Sequence, residues 1–149
     1  VTGVQTCALP IWIFDRSDID HALELGADGV QIASRFVTTA ECDAAEEYKQ
    51  AYINAKKEDI QIIQSPVGMP GRALRNEFIK GLESARKPIT KCYNCLEKCD
   101  PRSVPYCITK ALIDAVRGDI ENGLIFCGEN VNRIHEVTTV HDLMQELCY

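Results

Sequence analysis

The 149-residue chain is 46% hydrophobic, 26% charged and 7% aromatic, a balance that excludes a disordered or collagen-like chain and suffices for one ordinary domain with a sizeable core. Sixteen Lys and Arg against 22 Asp and Glu leave a net charge of −6, which argues against a nucleic-acid binder, since gripping a phosphate backbone needs a clustered basic face. No apolar run approaches the roughly 20 residues that span a bilayer, so the expectation is a cytoplasmic protein with no membrane partner, in which eight cysteines is a high count.

Val1-Thr-Gly-Val-Gln-Thr-Cys-Ala-Leu-Pro-Ile11 carries no charge and neither a helical nor a strand period. It has no basic start or continuous apolar stretch and is not a signal peptide. The string matches the translation of one reading frame of a widely used sequencing adapter. Residues 1–11 are therefore expected to be non-native, with the natural chain beginning upstream and seven cysteines left once Cys7 is set aside.

Asp15 to Gly26 reads as a helix. Asp15 or Ser17 caps it, acidic residues fill its first turn, and Gly26 ends it. Ile19, Ala22 and Leu23 form the apolar stripe. A tight turn at Gly26–Gly29 leads to an expected strand, Val30–Ala33, and Trp12–Phe14 would be the strand before the helix. This is the closing half of a βα repeat. A long helix is expected over Thr39–Lys57, with Cys42, Ala45, Tyr48, Tyr52 and Ala55 three and four apart, then a short strand at Ile60–Ile63.

Ser65–Gly71 reads as an irregular loop, and Arg72–Leu82 as a helix carrying Leu74, Phe78 and Leu82. A polar linker, Ser84–Thr90, precedes the cysteine-rich segment. Pro105 starts a helix to Val116 with Ile108, Leu112 and Ala115 inward. Glu121–Gly123 is a turn before the apolar run Leu124–Cys127. Thr139 caps a final helix to Leu147, buried through Val140, Leu143 and Leu147.

In Val30-Gln-Ile-Ala-Ser-Arg-Phe36 a small residue and a hydroxyl stand where a strand should end. Free backbone N–H groups at such ends hold phosphates in α/β sheets and barrels. Ala33 lets a ligand approach the backbone, Ser34 can donate its hydroxyl to a phosphate oxygen, and Gln31 can hydrogen-bond a ring or ribitol group. On these residues alone an ordinary turn is the plainer reading. The run from Asp15 to Thr39, above all Gly26-Ala-Asp-Gly-Val-Gln-Ile-Ala-Ser-Arg-Phe36, resembles the last βα units of the nitronate monooxygenase family. Those proteins are FMN-dependent (β/α)8 barrels related to flavin-type enoyl-acyl-carrier-protein reductases. The family pattern has Gly-Thr where this chain has Ala33-Ser34, a departure that keeps a small residue and a hydroxyl.

The resemblance implies that the FMN phosphate lies at Ala33 and Ser34, flanked by Gln31 and Ile32. Ser65-Pro-Val-Gly-Met-Pro-Gly-Arg72 with Asn76 resembles the family's Gly-Arg segment, and Phe126-Cys-Gly128 more loosely its late stretch near the cofactor. The family's glycine pair before the Ile-Phe-Asp segment is replaced by Ile11-Trp12. Its catalytic His belongs to strands that this chain does not contain, so no catalytic residue is assigned here. A barrel of this kind takes roughly 250 residues. The expected organisation is the C-terminal portion of a TIM barrel: last βα units over 12–60, then a mostly helical extension over 61–149 that holds the cysteines.

Cys92, Cys95, Cys99 and Cys107 place four thiols within sixteen residues. Short loops can return closely spaced thiolates to one Zn²⁺ or an iron–sulfur cluster, and the Pro101 and Pro105 breaks favour the necessary turns. Reduced structural thiols and disulfides remain alternatives, the latter disfavoured without a secretion signal. Cys42, Cys127 and Cys148 read as small hydrophobes. His21, His135 and His141 belong to no catalytic or metal pattern. Arg72 and Arg75 would stand on adjacent turns of one helix, able to face an anion, although surface arginines are the plainer reading.

The expected function is a fragment of a flavin oxidoreductase that oxidises nitronates, a small-molecule substrate, with O2. Alone, the fragment is expected to be inactive, with an open barrel edge that favours aggregation. An enoyl-thioester reductase and a small cysteine-rich metal-binding interaction module are the alternatives. Sequencing the native locus should show different bases in place of those encoding Val1–Ile11; finding the same bases in the chromosome would refute an adapter origin.

Overall fold

Helix α1 (Arg16–Glu24) begins at a reciprocal cap: Asp15 accepts from the Asp18 N–H at 3.1 Å, and the Asp18 carboxylate accepts from the backbone at the cap. Hydrogen bonds from the Ser17 hydroxyl, the Asp18 N–H and Arg133 hold the Asp15 carboxyl down at about 2. Gly26, at φ 93°, takes the left-handed conformation that closes the helix. The computed structural model describes residues 13–97 and 99–149; the adapter-like segment and Trp12 lie outside the described residues.

The expected strand Val30–Ala33 forms no strand ladder, and Ile13–Phe14 forms none either. A barrel strand is defined by neighbours on both sides, and among the described residues none lies beside this stretch. It leads directly into one helical turn, α2 (Ser34–Val37).

The helix expected over Thr39–Lys57 is much shorter, α3 (Glu46–Ile53). The Thr38–Thr39 backbone is already committed, since Thr38 O accepts from the Thr138 N–H at 3.1 Å and Ala40 N–H donates to Thr138 O at 2.8 Å. The buried Lys49 ammonium donates to Thr39 O at 2.9 Å, tying α3 back to this pairing.

Strands β1 (Ile60–Gln64) and β2 (Pro70–Leu74) form an antiparallel hairpin with Ile60 opposite Leu74 and Gln64 opposite Pro70. The expected helix Arg72–Leu82 is thus two elements, the end of β2 and α4 (Glu77–Ser84). The helical spacing of Leu74, Phe78 and Leu82 is coincidental: Leu74 packs with Tyr48, Tyr52 and Ile125, whereas Phe78 and Leu82 lie in a different cluster. Asn76 makes the break by accepting from the Ile79 N–H at 3.1 Å.

Along the other edge of β2 runs 124–127. Leu74 N–H donates to Ile125 O at 2.9 Å, and Cys127 N–H to Arg72 O at 3.0 Å. This patch separates two apolar clusters by strand alternation. Ala73 and Leu124 face Ile63, Phe78, Ile79, Tyr106 and Ala111; Leu74 and Ile125 face Tyr48, Tyr52, Ala115, Val131 and Ile134.

Helix α5 (Ile108–Val116) starts three residues after Pro105, and α6 (Val140–Cys148) is capped by Thr139 as expected. The last helix packs on α1 and α2. The Arg16 guanidinium donates to Cys148 O at 3.0 Å, placing a cation at the carbonyl end of α6. Among the described residues no helix is long and apolar enough to cross a membrane.

The 124–127 stretch can reach β2 because Gly123 lies against α5. A Cβ there would stand 2.5 Å from Ala115 Cα and 2.6 Å from Ala115 Cβ. Gly123→Ala is therefore expected to destabilise the chain by about 1–3 kcal/mol through forced displacement of packed backbone. Urea denaturation should show a lower midpoint, and an unchanged midpoint would contradict this packing.

Candidate functional site

A hollow of about 340 Å³ lies between the stretch 31–35 and the loop 126–131, with Ile13, Phe14, Val37 and Tyr52 completing its lining. Gln31, Ile32, Ala33 and Ser34, the four residues singled out by sequence, all border it. Ala33 and Gln31 are exposed and Ser34 is half-buried.

Ser34 joins the two walls. Its Oγ accepts from the Gly128 N–H at 2.8 Å, which leaves the hydroxyl proton available for an acceptor in the hollow. Gly128 approaches so closely that a Cβ there would stand 3.2 Å from Ser34 Oγ. The N–H groups of Ser34 and Arg35 open a helical turn and so have no partner within it.

The 126–129 wall is held from behind. The Tyr52 hydroxyl donates to Phe126 O at 2.5 Å and lies 3.2 Å from the Tyr48 hydroxyl. Tyr52 is 2% exposed, and burial raises its hydroxyl far above the ordinary phenol range. Arg72 Nε pairs with Glu129 Oε2 at 2.8 Å, with Lys57 Nζ at 3.8 Å from the same carboxylate. Cys127 also borders the hollow, but burial pushes its thiol up to about 12 despite the neighbouring Arg72 charge. It is a neutral thiol at physiological pH and no nucleophile. Arg35 is occupied by Glu146, with Nη2 to Oε2 at 2.8 Å, and its guanidinium lies 4.6 Å from the centre of the Phe14 ring.

Sequence similarity had pointed to Phe126 and Gly128. No local pattern marked the Arg72–Glu129 pair, because its members are far apart in sequence, or the polar role of Tyr52, which reads as an ordinary apolar position. The expected one-helix pair of arginines does not form: Arg72 lies in β2, while Arg75 follows it and pairs with Glu83 at 3.3 Å. His21, His135 and His141 are all exposed and line no part of this hollow.

The cysteines gather elsewhere. Cys92, Cys95, Cys99 and Cys107 line a second hollow of about 220 Å³. The Cys99 thiol is pushed up, first by desolvation and then by the three other thiols nearby. The expectation that the four already meet as one coordination set is not met: among the described residues no three His, Cys, Asp or Glu side chains are arranged to hold a metal. Thiols do not attract one another, so the loop's other contacts set their spacing. No disulfide joins cysteines among the described residues.

Residues 11–149 match the family model described as nitronate monooxygenase. The chain belongs to the nitronate monooxygenase family. A probable nitronate monooxygenase of Staphylococcus saprophyticus is 36% identical over 67 residues, 45% of this chain and 19% of that protein. Another from Bacillus subtilis is 24% identical over 142 residues, 91% of this chain and 37% of that protein. Among solved structures, FabK from Thermotoga maritima superposes with a TM-score of 0.74 at 26% identity, covering 94% of this chain and 42% of that one. This member of the nitronate monooxygenase family thus spans well under half the length of these relatives.

The group implied by nitronate monooxygenase membership is FMN, and the residues of the first hollow fit its phosphate. They offer a hydroxyl proton, first-turn N–H groups that have no partner inside α2, and small residues at Ala33 and Gly128 where a ligand can approach the backbone. Tyr52→Phe should cost about 1–2 kcal/mol by leaving Phe126 O without its donor. Chemical denaturation measures this, and a stability equal to that of the parent would remove Tyr52 as the support of the wall.

Proposed function

We propose that this chain is the C-terminal portion of an FMN-dependent (β/α)8 oxidoreductase that oxidises nitronates with O2, and that it holds the cofactor's phosphate. The observation that carries this reading is the Ser34–Gly128 junction, which leaves the Ser34 hydroxyl proton uncommitted beside two small residues at the border of one hollow. On this reading 12–60 supply the last βα units and 61–149 a C-terminal extension, in a cytoplasmic enzyme acting on a small molecule.

Bound FMN would supply the two-electron redox chemistry. Ser34 would hold a phosphate oxygen through its hydroxyl proton while its own oxygen stays bonded to Gly128, tying the two walls together. The first-turn N–H groups would add charge-assisted hydrogen bonds. No group here is poised as a base: Glu129 is occupied by Arg72 and Lys57, and the Cys127 proton is held tightly. From the family resemblance, this reading places proton abstraction on residues outside this chain, which by itself would not turn over.

The likeness to FabK favours a second reading within flavoenzymes, reduction of an enoyl thioester at the expense of a nicotinamide cofactor. The enzyme expressed from the intact gene discriminates the two. Nitronate-dependent oxygen uptake, with flavin absorbance in the purified protein, is expected; nicotinamide oxidation driven by an enoyl thioester without nitronate activity would select the second reading. Ser34→Ala should weaken FMN binding about tenfold or more, as loss of a hydrogen bond to a charged group does. A colourless, flavin-free wild-type protein would overturn both.

A further inference from the structure

We propose that Cys92, Cys95, Cys99 and Cys107 form a four-thiolate site for a soft metal centre, a single Zn²⁺ or an iron–sulfur cluster, that staples the 88–104 loop. All four side chains border one hollow, which no part of the flavin reading uses.

The loop has no packed core of its own, and its internal contacts are local turns such as Cys99 N–H to Leu96 O at 3.2 Å and Ser103 N–H to Asp100 O at 2.9 Å. No described residue from 88 to 104 is buried, and no helix or strand forms among its described residues. Apolar burial therefore cannot offset the entropy of ordering it. Its neck, in contrast, is pinned. Lys87 N–H donates to Pro105 O at 3.0 Å, the Arg86 guanidinium donates to Pro101 O and Arg102 O, and Tyr106 is buried edge-on against Phe78 at 5.2 Å. Three thiols sit inside the closed loop and the fourth just beyond its neck.

The local backbone is shaped for sulfur. Asn94, between Cys92 and Cys95, has φ 49° and is the one non-glycine residue with positive φ among the described residues. This left-handed turn aims the Asn94 N–H at Cys92 Sγ, at 3.4 Å. The Cys92 thiol in turn donates to Asn94 Oδ1 at 3.4 Å, so this one turn fixes the first sulfur of the four. Cys107 is fixed from the other side, as the N-cap residue of α5.

Charge supplies the remaining argument. A tetrathiolate zinc site carries a formal charge of −2. In a chain of net charge −6, residues 86–102 hold five Lys or Arg against Glu97 and Asp100 only. Along the sequence, this basic stretch surrounds the first three cysteines, and positive charge offsets that of a metal–thiolate centre.

Ligation draws the thiols inward from their present spacing. Because no described residue of the loop is fully buried, this movement breaks up no packed core. Each thiol that binds releases its proton to the buffer, with no change in oxidation state for Zn²⁺; an iron–sulfur cluster requires iron and inorganic sulfide as co-reactants.

The test uses the full 149-residue chain purified without oxygen. Elemental and acid-labile sulfide analysis should find about one zinc and no sulfide, or several irons with matching sulfide. Adding Co²⁺ to the metal-stripped protein should give the intense thiolate charge-transfer bands of a tetrahedral site. Cys95→Ser and Cys99→Ser should each weaken Co²⁺ binding more than about tenfold, while Cys42→Ser leaves it unchanged. Protease cleavage within 88–104 of the wild type provides a second reading that does not depend on the folding of the variants, and it should slow on adding Zn²⁺. Substoichiometric zinc and iron with no cobalt–thiolate bands, cleavage indifferent to Zn²⁺, or a disulfide among the four would each overturn the proposal. None of these outcomes depends on flavin binding.

Discussion

The contact on which the rest of this structure depends is the stretch Gly123–Gly128 laid along β2. It requires a residue without a side chain at Gly123, because the α5 backbone at Ala115 occupies the space a Cβ would take. Asn76 secures the same crossing, since its side-chain amide donates to Ile120 O at 2.5 Å and Gly123 O at 2.9 Å while its oxygen caps α4. Loss of this seat would disturb both apolar clusters together, because alternate residues of 124–125 and 73–74 serve opposite faces.

The candidate site is the far end of that same stretch. Phe126 and Cys127, still paired with β2, form one wall of the hollow together with Gly128, which closes on Ser34. The wall is fixed by a buried hydroxyl from α3 and an ion pair from β2, so its position follows from packing some distance away. A phosphate site needs this rigidity, because hydrogen bonds to a fixed anion weaken steeply with misalignment. By contrast, the 30–33 stretch opposite has no strand neighbour among the described residues and relies on Ser34 alone for its tie to Gly128.

The chain therefore combines two kinds of order. Around β2 the order comes from apolar burial and close backbone approach. In 88–104 no described residue is buried, and the loop is held chiefly at its neck. The dense cysteines fall in this second region, where a cross-link has the most conformational entropy to remove.

Local patterns alone determined α1, with Asp15 as one of two candidate caps, and α6 with its Thr139 cap, whereas Ala33–Ser34, which border the hollow, were singled out by the family resemblance. The two helix starts depend on residues within a few positions of one another, and caps are local physics. Tertiary structure decided where other elements began and ended. Thr38–Thr39 pairs with Thr138 and delays α3; Arg72–Leu74 joins β1 and the 124–127 stretch despite a helical apolar spacing; Val30–Ala33 is extended yet unladdered. The Arg72–Glu129 pair and the Tyr52–Phe126 hydrogen bond have no sequence signature for the same reason. Strand pairing and buried polar contacts depend on partners far away in the chain, and periodicity along one segment carries no information about which partner arrives.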